Sequence, residues 1–102
     1  MENLKHYNQM QSLLLQYETK KITLNHLIMN LEALLRNLEP VNKEWESLFL
    51  KKWGVLEDIY SVSVVDEKPI STKSQEVLQD ALKDLKGLIL TAIQNTSSAK
   101  TK

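Results

Sequence analysis

Leu24, Leu27, Ile28, Leu31, Leu34, Leu35 and Leu38 recur at steps of three and four with polar residues between them, which places one apolar stripe along one side of an α-helix. Thr23 stands ahead of the stripe as an N-cap whose hydroxyl can accept from an orphan backbone N–H. Pro40 cannot continue the hydrogen-bond ladder, so the pattern predicts a helix over 24–38. Upstream, Leu4, Tyr7, Met10, Leu13, Leu14 and Tyr17 form a looser stripe that predicts a helix over 3–19, with Glu18 to Lys21 as the connection. Downstream, Trp45, Leu48, Phe49, Trp53, Leu56, Ile59 and Tyr60 keep helical steps behind Asn42, a candidate cap, and predict a helix over 43–65. Its end, Ser61-Val62-Ser63-Val64-Val65, alternates as a strand would. Five residues with no pairing partner read better as the end of the helix.

The charged segment from Asp66 to Ser71, with the second proline, is the one obvious loop. Beyond it Thr72 and Gln75 fit a capping box, with Ser71 as a competing cap. Val77, Leu78, Ala81, Leu82, Leu85, Leu88, Ile89, Ala92 and Ile93 then give a wide apolar face. Gly87 costs that helix about 1 kcal/mol relative to alanine, and it can admit a neighbouring helix closely. From Asn95 the apolar period ends, so 96–102 is expected to be a mobile tail. Four amphipathic helices with short connections predict an all-α fold, an antiparallel up-down-up-down four-helix bundle, as a single domain over 1–95. A loosely docked first helix, or a bundle completed by a second copy of the chain, stays open at this point.

Composition supports helices. Two glycines and two prolines in 102 residues are too few for a fold of short strands and turns, and 42% hydrophobic with 25% charged residues is ordinary for a globular domain. The absence of cysteine excludes disulfides and thiolate metal sites. Thirteen basic against thirteen acidic side chains give no global attraction to nucleic acid or anionic lipid, and no helix supplies a basic face, so neither nucleic acid nor a membrane is an expected partner. The first residues lack a basic patch followed by an apolar run, and no stretch is long and apolar enough to span a bilayer, so the expected location is cytoplasmic.

Phosphate-cradling glycine loops, nucleophile elbows and paired zinc-binding histidines are missing. His6 and His26 sit in separate helices without a nearby repeat of carboxylate and imidazole at i, i+3 or i+4, so neither a metal nor any other cofactor is expected. The adjacent carboxylates Glu57-Asp58 and Asp66-Glu67 could do acid–base work if buried. They flank the apolar stripe, where a solvated charged face is the simpler reading, so no catalytic residue is assigned and the chain is expected not to be an enzyme. The charge is nevertheless uneven. Residues 41–67 carry three lysines against six acids, while 68–102 carry six lysines against three acids. An acidic region beside aromatic residues can steer and anchor a basic protein, which makes Glu57, Asp58, Asp66 and Glu67 candidate charged contacts and Trp45, Trp53 and Tyr60 candidate anchors. The same aromatic residues lie on the stripe and serve equally as core.

The run from Trp45 through Phe49 and Trp53-Gly54-Val55-Leu56-Glu57-Asp58-Ile59-Tyr60 follows Leu31-Glu32-Ala33-Leu34-Leu35 and Leu38-Glu39. It resembles small all-helical bacterial immunity proteins of polymorphic and contact-dependent toxin systems, over roughly residues 22–65. The resemblance implies a cytosolic, non-enzymatic protein that binds a cognate protein toxin domain and blocks it, and the local charge puts the expected contact at the acidic end of the third helix and the loop after it. The chain departs from that group after Tyr60, where Ser61 and Ser63 replace a small-residue apolar run. Wide stripes also support a different function, a self-associating helical adaptor or assembly module, with a homo-oligomer as its expected state.

Overall fold

The computed structural model describes residues 2–66 and 70–100, without the side chains of Glu2, Asp66 and 96–100. It holds four helices: α1 (Glu2–Glu18), α2 (Leu24–Arg36), α3 (Lys43–Asp66) and α4 (Thr72–Lys100). Each helix runs beside its sequence neighbours, and α1 closes the ring against α4. Asn3, near the start of α1, meets Glu39 just beyond α2, and Trp45, early in α3, meets Leu88, past the middle of α4. Successive helices are therefore antiparallel, as the short connections require, and the expected all-α four-helix bundle is the fold. The rod measures 51 × 26 × 21 Å.

Local chemistry sets the helix limits. Thr23 caps α2 by accepting from the His26 N–H at 3.1 Å, and Asn42 caps α3 by accepting from the N–H groups of Glu44 and Trp45 at 2.8 and 3.1 Å. Of the two caps open to α4, Ser71 is used: its hydroxyl accepts from the Ser74 N–H at 3.2 Å, while the Gln75 amide donates to the Ile70 carbonyl. At the end of α1, Lys20 takes φ 63°, so that Lys20 N–H reaches Tyr17 O and Lys21 N–H reaches Gln16 O, the paired bonds of a Schellman turn. Glycine usually fills that left-handed position; here lysine does.

Two boundaries differ from the sequence pattern by more than one residue. The stripe of α2 continues to Leu38, but the helix stops at Arg36, because Asn37 caps it and its side chain donates back to the Ala33 carbonyl. That early stop frees the backbone of Glu39. The Asn3 carboxamide grips it at both edges, accepting from Glu39 N–H at 2.7 Å and donating to Glu39 O at 3.3 Å. At the far end of the chain the helical backbone of α4 runs past the last apolar residue to Lys100. The loop residues 67–69 and the last two positions of the expected tail lie outside the described residues.

The core is wholly apolar among the described residues. Tyr7, Met10 and Leu14 of α1, Leu27 and Leu31 of α2, Phe49 and Leu56 of α3, and Leu85 and Ile89 of α4 make its centre. Full burial of each such side chain stabilises the fold by about 1.5–3 kcal/mol relative to exposure. The ring of Tyr7 stands edge-on to Trp45 at 5.7 Å, which in turn lies 5.3 Å from Phe49, so aromatic rings join α1 to α3 across the diagonal of the bundle. Among the described residues no helix is long and apolar enough to cross a membrane.

Gly87 does not serve a close helix approach: a β-carbon built on it, or on Gly54, would meet nothing within 4 Å. Both therefore carry the entropic cost of glycine in a helix without a steric reason inside the fold. Gly54→Ala and Gly87→Ala are each expected to stabilise the chain by about 0.5–1 kcal/mol. Chemical denaturation midpoints that fall instead would place an unseen neighbour over these positions.

Burial pushes the phenols of Tyr7 and Tyr17 above their ordinary value, a hydrogen bond from the Asn3 side chain partly opposing it at Tyr7. The unfolded chain then loses these protons first as pH rises. Stability is expected to be full below about pH 10 and to fall above it, where the unfolded tyrosines ionise and the buried ones do not. Urea unfolding from pH 8 to 11 measures this, and Tyr17→Phe should flatten the decline.

Candidate binding surface

The position of α3 is set by its two tryptophans. Trp45 donates its indole N–H to the Leu88 carbonyl of α4 at 2.8 Å, and Trp53 donates to the Ile28 carbonyl of α2 at 2.9 Å. Both indoles are half-buried with their polar atom turned inward, and Tyr60 also packs against the core. The three aromatic residues named as anchors thus hold α3 between its neighbours. Their rings remain only partly accessible from outside.

Asp58 lies on the side of the same helix turned away from the core, and Glu57, one turn after Trp53, lies on its flank. Both are exposed, and neither takes part in an ion pair or hydrogen bond among the described residues. The ion pairs present are elsewhere: Lys52 with Asp84 at 3.0 Å, bridging α3 and α4, and Arg36 with Glu32 at 3.2 Å along α2. The other two carboxylates expected at this surface are not placed. Asp66 closes α3 with its backbone, its side chain outside the described residues, and Glu67 lies outside them altogether.

The structure adds three residues that the sequence reading passed over. Val62, Val64 and Val65 are 60%, 53% and 80% exposed, although each is a β-branched apolar residue in a helix. Val77 on α4 is also exposed, with Ile70 partly buried just ahead of that helix. The signal was present in the sequence, since the Ser-Val-Ser-Val-Val run puts Val62 and Val65 off the stripe drawn through Phe49, Trp53, Leu56 and Tyr60. Ser63 satisfies its hydroxyl by donating to the Tyr60 carbonyl at 2.8 Å, so the serines sit in the helix without disturbing it.

Carboxylates in water lack the burial that would hold a proton for acid–base work. No group of three histidine, aspartate or glutamate side chains converges on a metal position among the described residues, and His26 points into solvent. The cleft between the end of α1 and the start of α4, lined by Tyr17, Lys20, Ile70, Gln75 and Glu76, is open. No family model, curated protein or solved structure matches the chain.

If the indoles fix α3, Trp53→Phe should cost on the order of 1 kcal/mol by removing one hydrogen bond, and Trp45→Ala up to about 3 kcal/mol by also emptying the contact with Tyr7 and Phe49. Urea denaturation reads both. Unchanged stability in the two variants would return these rings to the role of surface anchors.

Proposed function

We propose that this chain is a non-enzymatic binding protein that acts as an immunity protein, docking on a cognate protein toxin domain in the cytoplasm and blocking it. The observation that carries the reading is the exposed Glu57–Asp58 pair, unpaired among the described residues, on a helix fixed from behind by two indole hydrogen bonds. Unpaired carboxylates on a rigid support are available to lysines or arginines of a partner, and their field raises the rate at which such a partner arrives. The lysine deficit of residues 41–67 works in the same direction. The likeness of the Trp45 to Tyr60 run to immunity proteins supplies the particular partner.

A second reading, a self-associating adaptor, has one observation in its favour. The accessible surface of 7003 Å² exceeds the roughly 5,900 Å² expected for a compact monomer of 11.8 kDa. Leu48, with Leu15, Met29 and Leu90 on other faces, contributes exposed apolar area.

Affinity capture of the tagged chain from its native lysate, at low and then moderate salt, tests the first reading. One stoichiometric partner bearing a toxin domain is expected, released progressively as salt screens the acidic face. Reversal of Glu57, Asp58, Asp66 and Glu67 to lysine should weaken that complex at least about tenfold and flatten its salt dependence. Binding unaffected by the reversal would move the interface to another face; recovery of the chain alone as a defined oligomer would favour the adaptor.

A further inference from the structure

The layer formed by α3 and α4 has an outer side that α1 and α2 do not cover. Leu48, Lys51, Val55, Asp58 and Val62 follow one another on α3 at steps of three and four, which sets them on one side of that helix, turned outward and toward α4. Glu57 and Val64 lie on the other flank, toward α2, and take no part. On α4 the matching row is Lys73, Val77, Asp80, Asp84, Gly87 and Thr91, with Lys83 at its edge. The Lys52–Asp84 pair at 3.0 Å sets the two rows level, so that Val55 stands near the height of Ala81 and Leu82. Leu48, Val62 and Val77 are exposed. Leu48, Gly87, Leu88 and Thr91 frame an open depression of about 470 Å³, and a β-carbon on Gly87 would meet nothing within 4 Å.

Charge on this side is balanced, and its spacing is reciprocal. Lys51, Asp58, Asp80 and Lys83 are exposed and take part in no ion pair or hydrogen bond among the described residues. A two-fold axis makes every contact twice, residue i of one copy on residue j of the other and j on i. An axis crossing the layer at Val55 and Leu82 relates Lys51 to Asp58 and Leu48 to Val62 on α3, and Lys83 to Asp80 and Val77 to Gly87 on α4. One axis meets all four relations because its two crossing points lie at nearly the same height. We infer that two copies of this chain pair through the outer side of α3 and α4, helix antiparallel to its own equivalent. Lys51 then faces Asp58 of the other copy, and Val77 enters the depression at Gly87. A partner of uniform charge fits less well, since lysines and acids share both rows and it would meet like charges as well as opposite ones. The inference deepens the self-associating reading above by naming its face; it places Asp58 in the contact and leaves Glu57 outside it.

Sedimentation equilibrium of the full chain across the micromolar range tests it. A monomer–dimer equilibrium is expected, weakening as salt screens the pairs. Lys51→Glu and Asp58→Lys should each weaken the dimer at least about tenfold, because each sets two like-charged pairs face to face. An equimolar mixture of the two variants should recover a dimer near parental strength, since across the mixed contact both pairs are opposite again. Gly87→Gln fills the depression with a residue that favours helix more than glycine does, so it should weaken the dimer with helicity intact. A monomer throughout the range would overturn the inference and the self-associating reading together. A dimer that ignores the charge reversals, that mixing does not restore, or that Gly87→Gln leaves unchanged overturns the inference alone, self-association then using another face. Rescue on mixing, in a dimer that also captures a toxin domain from lysate, upholds the inference and removes the adaptor role alone.

Discussion

A helix buries its apolar side only along the length over which neighbours run beside it, and in this bundle the neighbours are unequal. α2 has 13 residues against 24 in α3 and 29 in α4, or roughly 20, 36 and 44 Å of helix. The Trp53 indole bonds Ile28, and because the two helices are antiparallel this places Leu24, the first residue of α2, near the level of Glu57. From there α3 continues to Asp66 with no α2 alongside. Val64, on the flank that α2 would cover, is left in water for that reason, and the acids stand where the covered part of the helix gives way to the uncovered part.

The two indole bonds turn this length mismatch into a defined surface. Apolar packing is non-directional, and a helix held by packing alone can shift along its axis at modest cost. A hydrogen bond to one particular carbonyl on each neighbour fixes both height and rotation. Trp45 ties α3 to α4 and Trp53 ties it to α2, on different turns, while the Asn42 cap fixes where the helix begins. The Asn3 grip on Glu39 secures the connection that leads into that cap. Glu57 and Asp58 inherit their outward direction from these constraints.

The helices themselves were legible in the sequence because their causes are local. Thr23, Asn42 and the stripe from Leu24 to Leu35 each act within a few residues, and the structure places them as read. Where two local solutions competed, at Ser71 and Thr72, the pattern could not choose between them. The choice turned on geometry ahead of the helix, where Gln75 reaches Ile70. Gly87 misled for the opposite reason: a small residue permits close approach, but only a neighbour at that level uses it. Whether Trp53 was core or anchor, and whether Val64 was covered, depended on the register of α3 against α2. That register is a contact between residues 25 apart in sequence, and no window of one helix contains it.

The exposed valines at the end of α3 are poor for folding, and on the proposed binding reading they would cost little to order. Binding loses free energy when side chains and backbone must be ordered on contact, and valine, with few rotamers, has little left to lose. The backbone beneath it is already helical and held by two bonds to its neighbours. On the binding reading proposed above, the carboxylates would act at the approach of a basic partner, because their field raises the association rate. A chain of zero net charge has no overall field to steer a basic partner. On the same reading, Glu57 and Asp58 supply a local field from exposed positions of α3, where they cost the bundle no buried charge.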